Sequence, residues 1–431
     1  MMSILTKKHT MPFFEDKTEK LLTFFIIILS VILFIRDVAD IGVSQIIVLG
    51  LMAMPIVFLP FSKLLYYTIF VCAIVKGVNA YIMPLLLVAL IFKNPRNSVA
   101  QFAFVIFLLV IELFDSLHIL LMRDYFFYAS FLGLFYFILF QDPSSINTND
   151  CLKYFCCGLS ITLLIVTVSI FRNPLDMIFR EDIRAAMGAE SQSDGSHFIL
   201  NANEYAYYAI SLLGILLLGK RRLKLPVWLY AIFLILSLLS GILSQSRTFI
   251  ILALFILIIY LLQSNLKIKL ITIIAAFALG LITVTYYNDF INSAFDGILM
   301  RFESSNFETA GNRTILFKEY NDFLVQNPQY ILSGTGAIYY KDVARCSNSI
   351  HNAIQQIYVC YGVIGCIIFL STIILFIHKY KRKSTTIIDY IPLLASVAFI
   401  QSIQFLNPYH LMLPVAVAAC SLKRIKIPDN L

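Results

Sequence analysis

Apolar residues fill this chain in long unbroken blocks, parted by short stretches that hold most of its Lys, Arg, Asp, Asn and Pro. Neither the alternation of a half-buried strand nor the single apolar stripe of a soluble helix describes these blocks. A helix needs about 20 mostly apolar residues to cross a bilayer, and about 17 at the least. On that measure the blocks predict spans near 21–38, 43–60, 62–76, 78–93, 98–117, 125–140, 151–171, 198–219, 225–243, 247–263, 268–287, 354–378, 388–404 and 407–422. Segment 62–93 is tight for two crossings and reads equally as a short hairpin. The expectation is therefore an all-α polytopic membrane protein of about 12–14 transmembrane helices. The first block, Leu21 to Ile35, follows Lys7, Lys8, Lys17 and Lys20 but lacks a small-residue cleavage site, so it is expected to stay as the first span.

Composition narrows the class. Of 431 residues, 60% are hydrophobic and 13% charged, with mean hydropathy +0.84. Soluble domains are nearer 45–50% apolar and about 25% charged. Soluble, disordered, collagen-like and disulfide-scaffold classes are excluded. The net charge of +8 sits in short clusters between apolar blocks, which is a topology signal and no nucleic-acid-binding face. With the N-terminus in the cytoplasm, about two thirds of the 33 Lys and Arg fall on the inner side. The eight cysteines show no CxxC and no Cys/His ligand spacing, and are expected to pack. Two outer segments are too long to be mere connections, Arg172 to His197 and Asn288 to Ser349. In the second, Leu316, Tyr320, Phe323 and Leu324 share a helix face before Asn327-Pro328 ends the run. The expected organisation is a cytoplasmic tail (1–20), a transmembrane core (21–287) with an extracytoplasmic loop (172–197), a large, partly helical extracytoplasmic loop (288–351), further spans (352–422) and a cytoplasmic tail (423–431).

Three clusters at the outer surface could carry chemistry. Ser244-Gln245-Ser246-Arg247-Thr248 opens the 247–263 span, Gly311-Asn312-Arg313-Thr314 opens the amphipathic stretch, and Ser349-Ile350-His351-Asn352 precedes the span holding Gly362 and Gly365. Each has a plain reading on its own: a snorkelling arginine, a solvated loop charge, an interfacial or capping residue. Elsewhere Arg184 and Gly195 have ten residues between them. Arg36-Asp37-Val-Ala-Asp40 reads as a polar turn or as a metal-binding acid, and Glu112 with Asp115 as solvated groups or an ion path.

Taken in order, the clusters form a pattern. Ser-x-Ser-Arg stands at a helix start, then Gly-x-Arg in a long outer loop, a Gly334-Thr335-Gly336 turn, and His-Asn before Gly-x-x-Gly. Upstream, Phe198-Ile-Leu-Asn201-Ala-Asn203-Glu204-Tyr-Ala206 forms an Asn-rich opening to a span. This set, from Phe198 to Gly365, resembles the O-antigen ligase and O-antigen polymerase superfamily of bacterial envelope glycosyltransferases. The first half resembles it only in hydropathy and helix count.

The resemblance implies a membrane glycosyltransferase of the bacterial cytoplasmic (inner) membrane, active on its extracytoplasmic face. Glycan would pass from undecaprenyl pyrophosphate to a sugar hydroxyl without metal or other cofactor. Catalytic roles fall on His351, for the acceptor, and on Arg247 and Arg313, which also bind the pyrophosphate. Asn352, Arg184 and Asn203 are expected to contact substrate, Asn352 with helix capping as its alternative. Expected partners are the lipid-linked donor, the glycan acceptor and the bilayer, with room for a chain-length regulator and none for nucleic acid. Polymerase of O-antigen or capsular repeat units leads, ligation to lipid A core is the alternative, and a glycolipid flippase or transporter is more distant. Retention would need a carboxylate nucleophile. Beside the three clusters no carboxylate pair is placed in any motif, and Glu308 and Asp342 stand apart in the loop, so transfer is expected to invert the anomeric centre.

Overall fold

A computed structural model describes residues 12–78, 81–94, 100–116, 121–142, 146–172, 187–190, 197–264, 313–346, 348–380 and 385–423. The apolar blocks become helices: α1 (Pro12–Asp37), α2 (Gln45–Phe58), α3 (Phe61–Ile74), α4 (Ile82–Lys93), α5 (Ala100–Ser116), α6 (Met122–Phe140) and α7 (Thr148–Ile170). After a hairpin of β1 (Met187–Glu190) and β2 (His197–Leu200) come α8 (Ala202–Leu216), α9 (Val227–Leu243), α10 (Arg247–Gln263), α11 (Arg313–Gln326), α12 (Ala353–Tyr380), α13 (Ile387–Ile400) and α14 (Leu413–Ala419). Three helices, Lys17–Asp37, Thr148–Ile170 and Ala353–Tyr380, are long and apolar enough to cross a membrane; other apolar helices are shorter.

Several expectations need amendment. The all-α reading gains a two-stranded antiparallel sheet, with Met187 opposite Leu200, whose first strand lies in the polar segment 172–197 and whose second opens the predicted span 198–219. Segment 62–93 becomes two short helices joined through a 3-10 turn at Val75–Gly77. The 407–422 block is no continuous helix. Pro408, which lacks an N–H, precedes a 3-10 turn at Tyr409–Met412, and α14 has only seven residues. The block at 268–287, the loop part 288–312 with Glu308, and Arg184 lie outside the described residues.

The helices turn apolar side chains outward as well as inward. On α10, Ile251, Leu254, Phe255, Ile258 and Leu262 are exposed along one face, and on α12 Ile367, Leu370, Ile374 and Ile377 are too. A continuous apolar outer surface is what a lipid environment selects. Inside, small and hydroxylated residues let backbones approach, as membrane helix pairs do. Gly158 on α7 sits where a Cβ would lie 2.5 Å from the Phe70 carbonyl, and Thr162 donates to the Ala73 carbonyl at 2.7 Å.

One helix is interrupted. Gly362 has φ 59° and ψ −156°, so α12 breaks there, and the segment 331–336 crosses at the gap. Carbonyls freed by the break accept from that segment: Thr335 N–H donates to Val359 O at 3.0 Å and Gly336 N–H to Cys360 O at 2.9 Å. A Cβ on Gly334 (φ 84°) would lie 2.3 Å from the Cys360 carbonyl group, and one on Gly362 2.4 Å from Leu332 O. Each glycine therefore serves both a left-handed backbone and a close crossing.

The described loops sort into two ends. Residues 171–172, 187–190, 197–201, 244–246, 313–346, 348–352 and 401–411 belong to one end. The other holds cation anchors: Arg222 pairs with Asp389 and donates to Asn149 Oδ1 at 3.0 Å, while Lys423 donates to Ile138 O at 2.8 Å and Gln141 O at 3.0 Å.

Candidate active site

The site grows from helix starts at the first of these ends. Asn201 caps α8, its Oδ1 accepting from Asn203 N–H at 3.0 Å and Glu204 N–H at 2.9 Å, while Glu204 Oε2 accepts from Asn201 N–H at 3.3 Å. This reciprocal box fixes both side chains where the strand turns into the helix. Between α9 and α10 the chain turns through Gln245 (φ 49°), with Ser244 Oγ donating to Gly241 O at 2.6 Å and accepting from Ser246 N–H at 3.2 Å. Ser246 caps α10, so Arg247 is its first residue. Arg313 is the first residue of α11.

Helix α11 docks through Leu316, Tyr320 and Leu324, all buried, with Phe323 partly so. That is the face read from the sequence, and the helix ends at Gln326, just before Asn327-Pro328. Tyr320 OH donates to Asn348 O at 2.8 Å, Gln355 Nε2 to Phe317 O at 3.1 Å, and Ile350 N–H to Tyr340 OH at 3.1 Å. These bonds draw the start of α11 against the approach to α12, and so Arg313 toward His351.

Electrostatics tie the three expected residues together. Burial lowers the Arg313 pKa, and the neighbouring Arg247 guanidinium lowers it further. Burial, then the Arg313 charge, holds His351 below the usual imidazole range. His351 Nδ1 is buried without a hydrogen-bond partner among the described residues. No described carboxylate offsets Arg313. Two cations are thus kept close, one of them half-buried, and a pair of like charges held together in this way is complementary to an anion.

Beside His351 lies a cleft of about 230 Å³, lined by Asn201, Ala202, Asn203, Glu204, His351, Ile403, Gln404, Pro408 and Leu411. Neither arginine lines it. Its wall is fixed by a chain of clips. Gln356 Oε1 accepts from Phe405 N–H at 2.7 Å and Leu406 N–H at 2.9 Å, and Asn407 Nδ2 donates to Ile338 O at 3.1 Å. Glu112, fully buried, accepts from Ala337 N–H at 2.6 Å and Ile338 N–H at 2.8 Å. Its carboxylate fastens the loop to α5, which answers the ion-path question for Glu112; the Asp115 side chain lies outside what is described.

The remaining expected residues fall as follows. Asn203 lines the cleft. Asn352 does not line it: its Oδ1 accepts from Gln355 N–H at 2.9 Å and caps α12, which is the capping alternative. Asp37 pairs with Arg36 through two bonds of 2.7 and 2.8 Å, both side chains buried, and no group of three metal-ligating side chains occurs among the described residues. Asp342 is exposed on the short helix Tyr340–Ala344.

Sequence reasoning missed Glu204 and Gln404 as site residues. Glu204 was visible only as part of the Asn-rich motif; its Asn-x-x-Glu spacing is a capping-box signature that signals a fixed carboxylate. Gln401, Gln404 and Asn407-Pro408 stood at the adjoining ends of the 388–404 and 407–422 blocks, and marked the irregular segment that forms the cleft wall. The three clusters hold no carboxylate pair, but Glu204 of the Asn-rich motif lines the same cleft as His351.

Fold and site together define a polytopic helical membrane protein with two arginines and a histidine gathered at one end. Residues 232–370 match the family model described as O-antigen ligase, which supports the resemblance to the O-antigen ligase and polymerase superfamily over that stretch. The matched stretch is about a third of the chain and contains Arg247, Arg313 and His351, while Glu204 and Gln404 fall outside it. Among curated proteins, none matches the chain.

Proposed function

We propose that this protein polymerises lipid-linked oligosaccharide repeat units of O-antigen or capsule on the extracytoplasmic face of the bacterial cytoplasmic membrane. In this reading the N-terminus is cytoplasmic, the helices make 12–14 crossings, and the loop 288–351 roofs the site. The donor is a glycan on undecaprenyl pyrophosphate and the acceptor a sugar hydroxyl of a second lipid-linked unit. The observation that carries the reading is the gathering of Arg247, Arg313 and His351 beside a cleft.

The chemistry follows from the residues. As the acceptor oxygen bonds to the anomeric carbon, the carbon–phosphate-oxygen bond breaks and its electron pair leaves with the pyrophosphate. Arg247 and Arg313 meet that growing charge with forked, permanently charged donors, which serves without a metal ion. His351, held neutral by burial and by Arg313, takes the acceptor proton. One displacement without a covalent intermediate inverts the anomeric centre.

The O-antigen ligase description of the matched family favours a second acceptor, the lipid A core. Deleting the gene in its host separates the two. Loss of a polymerase leaves single repeat units on the core, the expected result; bare core would mean ligation, and unchanged chains would overturn both.

A further inference from the structure

The cleft beside His351 has chemistry of its own. Its lining combines polar side chains, among them Asn203, Glu204, Gln404 and the imidazole, with the apolar Ile403, Pro408 and Leu411. Glu204 is buried, with one oxygen committed to the Asn201 N–H; the other, Oε1, stands 3.9 Å from His410 Nε2 and makes no hydrogen bond among the described residues. The Gln404 and Asn203 side-chain amides are likewise uncommitted among the described residues. An anion is a poor occupant, since a carboxylate faces the space and neither arginine does. Uncommitted acceptors and donors together with apolar side chains suit a neutral ring that carries hydroxyls on its edge and C–H groups on its face. Clefts for drug-sized ligands run to roughly 300–1,000 Å³, so about 230 Å³ is room for a single ring.

We propose that this cleft is the subsite for the acceptor's reacting monosaccharide, a neutral sugar, and that Glu204 and Gln404 select it by bonding its hydroxyls. The proposal rests on the transferase reading of the site. His351 borders both regions: it feels the Arg313 charge and lines the cleft. The donor's pyrophosphate, held by the arginines, and the acceptor sugar in the cleft therefore have separate places beside one imidazole. Glu204 Oε1 accepts from a sugar O–H in a charge-assisted bond, and its charge rejects a uronic acid. A site built to bond particular hydroxyls discriminates strongly against rings lacking them.

The test is binding of methyl glycosides of glucose, galactose, N-acetylglucosamine and glucuronic acid to the purified full-length protein, followed by saturation-transfer NMR. At least one neutral glycoside is expected to bind and the glucuronide to be rejected. Gln404→Trp, which fills the cleft, abolishes binding, whereas Arg313→Ala retains it. The near-isosteric Glu204→Gln weakens the neutral glycoside roughly tenfold and admits the glucuronide, a change of selectivity that a purely structural Glu204 does not produce. With lipid-linked repeat units from the host, Gln404→Ala is expected to raise the acceptor KM and leave the donor KM unchanged. Absence of glycoside binding, equal binding by Gln404→Trp, or unchanged selectivity in Glu204→Gln overturns the subsite. Glycoside binding without any transfer from the lipid-linked donor leaves the sugar cleft standing and sinks the transferase reading instead; transfer without glycoside binding does the reverse.

Discussion

Arg313 is half-buried beside the Arg247 guanidinium, and an arriving anion offsets the cost of holding two like charges close. Lysine keeps the charge but loses the planar fork, and a donor contributes most where charge develops. Arg247→Lys and Arg313→Lys are each expected to lower kcat by about 10²-fold, measured by transfer from lipid-linked donor in proteoliposomes; wild-type rates would return both to snorkelling and surface roles. His351→Ala is expected to cost roughly 10²–10⁴-fold while the protein accumulates normally. The pH profile adds a directional check. Protonated His351 cannot act as base, so activity falls as pH drops through its pKa. Burial and Arg313 depress that pKa, placing the acid limb below the ordinary value of about 6.5. Removing the positive neighbour in Arg313→Gln should move the limb of the residual activity to higher pH, and a limb that stays put or moves down would separate the two residues.

At the scale of elements, the extents of most helices follow from runs of apolar residues. The predicted 247–263 span and α10 share the same limits, and the amphipathic stretch after Gly311 became α11 with its predicted face buried. What apolar runs cannot register is an interruption made by a partner segment. The break in α12 at Gly362 was hidden inside one continuous block, since its cause is the crossing of residues 331–336, distant in sequence. The β1–β2 pairing escaped for a related reason: the strands have only four residues each, too short for periodicity to speak. Glu112 makes a prediction here. Glu112→Ala would leave the buried Ala337 and Ile338 amides unpaired, at about 1–3 kcal/mol each, so Tm in detergent should fall clearly. Glu112→Gln, which keeps one acceptor oxygen, should fall less. Equal losses would place the effect in the charge and not in the amides.

For the whole molecule, class and site were legible to different degrees. Composition alone required a membrane protein, and ordered motifs pointed to Arg247, Arg313 and His351, which the fold gathers. The cleft was not legible, because its walls come from the start of α8, the approach to α12 and the stretch after α13, which are far apart in sequence and meet only in the tertiary fold. This bears on stereochemistry. Direct displacement inverts, so NMR should show the new linkage opposite in configuration to the donor phosphate. A retained centre would require a protein nucleophile, and Glu204, facing the cleft with His351, would be the first carboxylate to replace, ahead of Glu308 and Asp342. EDTA should leave the purified enzyme's rate unchanged; a requirement for Mg²⁺ would move attention to Asp37 and Asp40.

The crossing of residues 331–336 through the gap at Gly362 also limits how such proteins can be recombined. Loop and helix carry each other's hydrogen bonds and clear each other's backbones through paired glycines. They are one inheritable block despite the chain between them. A chimera that borrows 313–351 from a relative with a different helix break should fail to accumulate in the membrane, whereas one that borrows 313–370 as a piece should accumulate and carry its specificity along.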